Sequence, residues 1–286
     1  QEMYDQSGMT REAVKWDYEL RNGAQLETVI DRALSVMMSD PKGPAYLSLP
    51  REVLAEEMDE FTYESPGRVQ AAAGAAPNAA ALEEAAEVLA KAENPVIITN
   101  WGGRNPGVMP ALSDLVERYA IPVVEYRNRF VSISHQNPMF AGGNPNPYVE
   151  AADAILVFDC AVPWLPSQGN PSEACTVIQM APDPHYSMLP IRGFRSDIVL
   201  ACPCDVGFIA LSNAMEEYAK NASGRIDNRR KVITDKHNRP EEIWAKKLEE
   251  VRDTTPIHPA WISHCIGNIS DSETIFAKEC QLQVQY

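Results

Sequence analysis

The feature that most constrains the fold is a series of five short, continuous apolar segments between residues 79 and 218. These segments are Pro95–Thr99, Ile121–Glu125, Ala154–Phe158, Cys175–Met180 and Asp197–Ala201. Uninterrupted apolar strands are typical of parallel sheets that helices cover on both faces, because neither face of the strand meets water. We therefore predict an α/β fold with a doubly wound, Rossmann-like parallel sheet and right-handed crossovers.

Segments with helical periodicity separate these apolar runs. Helices are predicted around Leu82–Ala90, Met109–Tyr119, Tyr148–Ala152 and Phe208–Tyr218. The glycine pair Gly102 and Gly103 follows the first strand, where a Rossmann-like sheet places a nucleotide pyrophosphate. The full G-x-G-x-x-G spacing is missing, since only Gly107 follows the pair. A nucleotide site and a tight strand-to-helix turn are both compatible with this pattern.

The segments on either side of residues 79–218 differ in character. At the amino-terminal side, helical spacing over Leu26–Met38 and an apolar run at Ala45–Leu49 predict one helix and one buried strand. Residues 61–78 are rich in alanine, with Pro66, Gly67 and Pro77, and are interpreted as a linker. Residues 219–256 are polar and are predicted to be a solvated connection containing one helix.

A last helix is predicted over residues 258–268, with Pro259 in its first turn, followed by a strand over Glu273–Lys278. One helix and one strand cannot bury their own apolar faces, so residues 257–286 are expected to be part of a larger domain. The predicted units are therefore 1–60, the linker 61–78, a central domain 79–218, the linker 219–256, and 257–286.

Charge and cysteine usage exclude several classes of function. A formal net charge of −15 argues against nucleic acid as a partner, because phosphates require a basic surface. No apolar run is long enough to span a bilayer, so no membrane partner is predicted. The six cysteines have neither the density of a disulfide scaffold nor a second ligand pair to match Cys202 and Cys204. They are interpreted as reduced, mostly buried thiols, which favours a cytoplasmic protein.

Several phrases, taken in order, resemble the thiamine-diphosphate enzymes of the acetolactate synthase and benzoylformate decarboxylase group. In the central domain these are Val96–Gly103, Ile121–Val124, Asn137–Gly142, Ala151–Asp159 with Val162–Pro166, and Val177–Pro184. The predicted helix over Leu26–Met38 and the segment from Gly43 to Arg51 resemble the end of the pyrimidine-binding domain in the same family. That segment consists of Gly-Pro, the apolar strand and Pro-Arg. The resemblance implies a central Rossmann-like domain between two partial flanking α/β domains.

The resemblance also implies an activity. Such enzymes use thiamine diphosphate and Mg²⁺ to decarboxylate a 2-oxo acid, or to transfer the resulting enamine to a second carbonyl compound, and they form homodimers or homotetramers. Some bind FAD or ADP in the central domain, which implies Gly102 and Gly103 as contacts. The cofactor glutamate and the Gly-Asp-Gly magnesium motif are absent from this sequence. The chain as given is therefore predicted to be inactive, and a non-catalytic nucleotide-binding or oligomerisation module is the alternative.

Four further residues are implied as contacts by their place in the family pattern. Gln1, Glu279 and Gln281 would lie near the cofactor, and Arg51 would offer a planar fork to the carboxylate of the 2-oxo acid. Alternatively, Gln1 is an ordinary helix-end residue and Arg51 is a surface cation. The histidines form no catalytic triad, and His135 is expected either to face the cofactor side or to have a capping or surface role.

Overall fold

The computed structural model of the chain describes residues 3–58, 60–63, 69–238, 240–271 and 273–276. The amino-terminal unit consists of β1 (Trp16–Glu19), α1 (Leu26–Met38), β2 (Ala45–Ser48) and the short α2 (Arg51–Leu54). β1 and β2 pair in parallel, with Trp16 opposite Ala45. The predicted helix and the second strand are confirmed, but β2 is only half-buried along most of its length. β1 was not predicted.

The central unit contains the predicted alternation of helices and strands. Its elements are α3 (Ala79–Lys91), β3 (Pro95–Thr99), α4 (Val108–Tyr119), β4 (Val123–Glu125), α5 (Asn146–Val149), β5 (Ala154–Phe158), β6 (Thr176–Ala181), β7 (Ile198–Ala201) and α6 (Cys204–Ala219). All five strands are parallel, in the order β4-β3-β5-β6-β7. The predicted α/β class and the Rossmann-like parallel sheet are confirmed.

One further pairing extends the sheet beyond β4. Phe140 forms a parallel bridge with Val123, whose N–H donates to the carbonyl of Met139 at 2.8 Å. With this segment counted as a strand, the six strands, numbered along the chain, lie side by side in the order 3-2-1-4-5-6. That order reverses between β3 and β5, which is the topological switch point of a Rossmann-like sheet.

Both faces of the sheet are covered. On one face, Ile97 and Leu156 pack in a layer with residues of α3, α4 and α6. On the other face, Val96, Ile155 and Val157 pack against side chains from α5 and the following loops, including the buried Trp164. Every residue of β3 and β5 is buried, which explains why these strands are continuous apolar runs.

The polar segment 219–256 contains two helices, α7 (Ser223–Asn238) and α8 (Pro240–Val251), so the prediction of one helix is wrong. α9 (Pro259–Ile269) begins after His258, whose side chain accepts from the N–H of Ala260, and this helix is confirmed. Residues 273–276 form no strand, and the remainder of the predicted strand, residues 277–278, lies outside the described residues.

Arg229 attaches α7 to the central unit. Its guanidinium is buried and donates to the carbonyls of Leu89 (3.4 Å), Ala92 (2.9 Å) and Tyr119 (2.7 Å). These carbonyls lie at the carboxyl ends of α3 and α4, where a cation complements the helix dipoles. Burial lowers the pKa of Arg229 to about 10. α7 is therefore held by a buried, charged side chain together with the apolar contacts of Ile226 and Ile233.

In the part of the chain that the structure describes, no helix is both long and apolar enough to cross a membrane. Of the five described cysteines, all are free and four are buried, in agreement with the predicted reduced thiols.

Candidate functional site

The carboxyl ends of the central strands form the edge of the sheet at which the sequence places Gly102 and Gly103. The turn Gly102–Arg104 follows β3 directly. A Cβ added at Gly102 would lie 2.0 Å from Cε2 of Phe158, and one at Gly103 would lie 2.0 Å from the carbonyl oxygen of Val131. Both positions require glycine because neighbouring groups of the protein already occupy the space of a side chain.

The backbone amides of this turn donate within the chain. The N–H of Gly102 donates to Oγ1 of Thr99 at 3.2 Å, and that of Gly103 donates to Oγ of Ser132 at 3.0 Å. The N–H of Trp101 reaches across to the carbonyl of Asp159 at 3.0 Å, beyond the last paired residues of β3 and β5. The two strands on either side of the switch point are thus joined at their ends.

A buried carboxylate organises the loop after β4. Glu125 is the last residue of β4, and its Oε1 accepts from the N–H of Ser132 (2.5 Å) and of Ile133 (3.2 Å). Its Oε2 accepts from Nδ2 of Asn128 at 3.1 Å and lies 2.9 Å from Nε2 of His135. The carboxylate thereby fixes the course of residues 126–135, since all four of its partners are spaced along that loop.

This loop presents aromatic and basic side chains at the edge of the sheet. Phe130 lies against Trp101, with ring centroids 5.9 Å apart, and the guanidinium of Arg129 lies 5.2 Å from the centroid of Trp101. Asn100 donates to the carbonyls of Tyr126 and Arg127, which holds the start of the loop beside β3. His135 stacks on Phe140 at 4.1 Å and is bound to Glu125, so it holds the loop.

At the end of β5, Asp159 has a positive φ of 41°, a conformation that aspartate tolerates better than most residues. Burial raises the pKa of Asp159, although the nearby charge of Arg104 opposes the shift. Burial also raises the pKa of Cys160 to about 12, and that of Cys204 well above its ordinary value. These thiols therefore stay protonated at neutral pH and are poor nucleophiles.

Arg192 fixes the segment after β6 to the end of β5. Its guanidinium donates to the carbonyl of Ala161 at 2.9 Å and to Oε1 of Gln179 at 3.1 Å. The same group lies 5.0 Å from the ring centroid of Tyr186 and 5.3 Å from that of Phe194. Burial lowers the pKa of Arg192 and raises that of Tyr186. Arg192 therefore holds this part of the edge together through hydrogen bonds and contacts with two aromatic rings.

A crevice of about 450 Å³ lies between the carboxyl ends of β3, β5 and β6 and the start of α6. Its ionisable lining residues are the carboxylates Asp40, Asp159 and Asp205 and the cations Lys42 and Arg104. Asp40 and Lys42 come from the segment between α1 and β2, so the amino-terminal unit contributes to this crevice. The lining therefore contains three carboxylates and two cations.

The structure places the predicted site residues in three groups. Gly102 and Gly103 lie at the carboxyl edge, as expected. Arg51 is exposed at the first position of α2, and it does not line the crevice. Gln1, Glu279 and Gln281 lie outside the described residues. Among the described residues, no group of three or more His, Cys, Asp or Glu side chains could hold a metal ion.

The edge contains residues that the sequence reasoning missed, namely Glu125, Asp159, Arg192 and Asp205. A signal for two of them existed, because Glu125 ends a predicted strand and Asp159 directly follows one, and polar residues at strand ends meet at one edge of a parallel sheet. For Arg192 and Asp205 no comparable signal existed, since their partners come from distant segments.

The comparison with family models finds one family that is similar to this unit. Residues 82–187 match the family model described as the central domain of thiamine pyrophosphate enzymes. Residues 82–187 are therefore similar to a thiamine pyrophosphate enzyme central domain. Two of the solved structures that resemble it are a thiamin diphosphate-dependent enzyme from Mycobacterium smegmatis and the benzoylformate decarboxylase of Polynucleobacter necessarius. The first has a TM-score of 0.61 at 23% identity, covering 74% of this chain and 41% of that one. The second has a TM-score of 0.57 at 20% identity, covering 71% and 38%.

Curated relatives agree with this family. A sulfoacetaldehyde acetyltransferase of Rhodobacter capsulatus is 31% identical over 138 residues, which are 48% of this chain and 22% of the relative. An acetolactate synthase of Arthrospira platensis is 28% identical over 120 residues, covering 41% and 20%. The oxalyl-CoA decarboxylase of Escherichia coli K12 is 25% identical over 176 residues, covering 59% and 30%. The chain thus spans less than a third of the length of the curated relatives it matches.

Proposed function

We propose that this chain acts within a thiamine-diphosphate-dependent enzyme that decarboxylates 2-oxo acids, or that joins the product to a second carbonyl compound, in the manner of acetolactate synthases. The observation that carries the proposal is the match of residues 82–187 to the central domain of this enzyme family, on a sheet with the corresponding parallel topology. Thiamine diphosphate, held with Mg²⁺, supplies the electron sink for such chemistry.

In this proposal the central unit acts as a frame rather than as the reacting site. Two of its edge groups are engaged within the unit: Glu125 with the loop after β4, and Arg192 with the end of β5. Gln1, Glu279 and Gln281 are proposed as cofactor contacts, and Arg51 as the residue that receives the substrate carboxylate. A homodimer or homotetramer in the cytoplasm is part of the same proposal.

The chain of 286 residues by itself is proposed to be inactive. It contains no Gly-Asp-Gly sequence, with which the family holds Mg²⁺ and the diphosphate, and among the described residues no acidic or histidine cluster takes its place. Burial also keeps the Cys160 thiol protonated, so it offers no alternative nucleophile.

The test is an assay of CO₂ release from a panel of 2-oxo acids, including pyruvate and benzoylformate, by the complete gene product. We expect release that requires both thiamine diphosphate and Mg²⁺, and none from residues 1–286 alone. Failure of the complete product to bind thiamine diphosphate in the presence of Mg²⁺ would overturn the proposal, and activity of residues 1–286 alone would overturn the proposed inactivity.

A variant pair tests Arg51 within that assay. Arg51→Gln is expected to raise KM for the 2-oxo acid about tenfold, because a bidentate charged contact to a carboxylate is lost. Arg21→Gln, at an exposed arginine of the same unit, serves as the control and should leave KM unchanged. Equal KM values for both variants would remove Arg51 from the proposed substrate site.

A further inference from the structure

The family resemblance leads us to expect FAD or ADP in the central domain. The residues at the carboxyl edge of the sheet show whether such a nucleotide fits there. We infer that this central domain does not take a nucleoside diphosphate or a dinucleotide at the carboxyl edge of its sheet, because the chain's own groups occupy each element that would bind the pyrophosphate. The inference concerns the central domain alone and does not depend on the proposed thiamine diphosphate chemistry.

The first element is the space beside the glycines. In a dinucleotide fold, glycine is needed so that the pyrophosphate can approach the backbone. Here the space next to Gly102 is filled by the ring of Phe158, and the space next to Gly103 is filled by the carbonyl of Val131. A carbonyl oxygen at that place would also repel a phosphate oxygen. The glycines therefore serve internal packing.

The second element is the set of backbone amides between β3 and α4. A pyrophosphate is normally held by such N–H groups. In this chain every N–H from residue 101 to residue 108 donates to another group of the protein. The acceptors are, in order, the Asp159 carbonyl, Thr99 Oγ1, Ser132 Oγ, the carbonyls of Trp101 and Gly102, Asn105 Oδ1 and the Asn105 carbonyl, while Pro106 has no N–H. A phosphate would have to displace these bonds.

The third element is the amino terminus of α4, which would attract the phosphate charge. An internal anion already lies there, because a Cβ added at Gly107, the residue before α4, would be 2.9 Å from Oδ2 of Asp205. Asp205 lies in the first turn of α6, so its carboxylate is near the positive end of that helix as well. The Asp205 carboxylate therefore lies where a phosphate would approach the α4 terminus.

The charge of the neighbouring crevice also opposes nucleotide binding. The space of about 450 Å³ is lined by Asp40, Asp159 and Asp205, against the exposed cations Lys42 and Arg104. A diphosphate carries at least two negative charges and would meet three carboxylates with only two cations to offset them. Nucleotide binding at this edge is therefore opposed by sterics, by hydrogen bonding and by charge.

The experiment measures binding of ADP and of FAD to the chain by calorimetry, together with amide hydrogen exchange of residues 101–108 with and without the nucleotide. We expect no saturable binding at millimolar ADP, and exchange rates in this turn that change by less than about twofold. Protein purified with added FAD should show no flavin absorption after dialysis.

The variant Arg104→Ala identifies where any binding occurs, since Arg104 is the cation next to the turn. One-to-one binding that this variant weakens about tenfold, or that slows exchange at residues 102–105, would overturn the inference. If a nucleotide binds without changing exchange in the turn, and Arg104→Ala does not alter its affinity, the nucleotide binds elsewhere on the protein. That result supports the inference.

Discussion

The central unit and the amino-terminal unit are both built from helices and parallel strands, but they bury their apolar residues to different extents. In the central unit every residue of β3 and β5 is buried, whereas β1 has no buried residue and β2 has one. The helices differ in the same way. α3 buries Leu89 completely, while α1 leaves Leu34 51% exposed.

This difference shows where the stability of the chain resides. Full burial of a leucine side chain stabilises a protein by about 2 kcal/mol relative to leaving it in water, so the central unit gains from the apolar residues of its inner strands and the amino-terminal unit gains much less. Internal hydrogen bonds also hold the turn after β3 and the helix ends that Arg229 contacts.

The largest expected effect is at Arg229. Arg229→Met should lower the free energy of unfolding by about 3 kcal/mol, because the carbonyls at the ends of α3 and α4 lose a buried charged donor. Urea denaturation followed by circular dichroism measures this. Arg230→Met is the matched control: Arg230 donates to the single carbonyl of Arg118, and its replacement should cost less than about 1 kcal/mol. Similar losses in both variants would contradict the role given to Arg229.

A smaller loss is expected at the turn after β3. Gly102→Ala should destabilise the chain by about 2 kcal/mol, since the new methyl group would overlap the ring of Phe158. Thermal or urea unfolding can be compared with Gly193→Ala, where no atom lies within 4 Å of the added carbon. A neutral effect of Gly102→Ala would show that the turn has room for a methyl group, which contradicts the overlap with Phe158.

Asp159 provides a pH-dependent test. Burial raises the pKa of Asp159 in the folded chain, so the folded state holds this proton more tightly than the unfolded state does. Stability from this group is therefore present at low pH and is lost as pH rises through the folded pKa. Asp159→Asn should remove that loss and make the chain more stable near neutral pH than the unaltered protein, and asparagine tolerates the positive φ at this position.

The control for this prediction is Asp271, whose pKa is lowered by the hydroxyl of Thr274. Its contribution is present above the unfolded pKa and is lost as pH falls through the folded pKa, so Asp271→Asn should change stability with the opposite sign. Urea midpoints measured between acid and neutral pH give both slopes. A steeper loss of stability with rising pH in Asp159→Asn would be incompatible with a buried, destabilised carboxylate.

The smallest effect is expected in the amino-terminal unit. Leu34→Ala should change the free energy of unfolding by less than about 0.5 kcal/mol, since half of this side chain already meets solvent. The same substitution at the fully buried Leu89 should cost about 3 kcal/mol. Equal costs at the two leucines, measured by urea unfolding, would show that α1 contributes as much to the core as α3.

The sequence predicts the central unit well because its signal is local. Strands such as Ala154–Phe158 are continuous apolar runs, and α4 has clear helical spacing. The misses have physical reasons. β1 reads Trp-Asp-Tyr-Glu, with no apolar run, and pairs only with a strand nearly thirty residues away. α7 has little apolar periodicity, because it is docked by the charged Arg229.

The candidate site was only partly predictable. Gly102 and Gly103 were placed at the correct edge, because glycines after a first strand have a fixed place in a parallel sheet. Their use as packing positions could not be foreseen, since it depends on Phe158 and on the carbonyl of Val131. The carboxylate of Asp205 beside Gly107 depends in the same way on the docking of α6 against α4.

Native-state hydrogen exchange of residues 1–286 tests most directly the claim that the central unit is more stable than the amino-terminal unit. The amides of β3 and β5 are expected to exchange only through global unfolding, while those of β1 and β2 exchange at least about 100-fold faster through local opening. Equal protection in the two sheets, or faster exchange in β3 than in β2, would contradict the account.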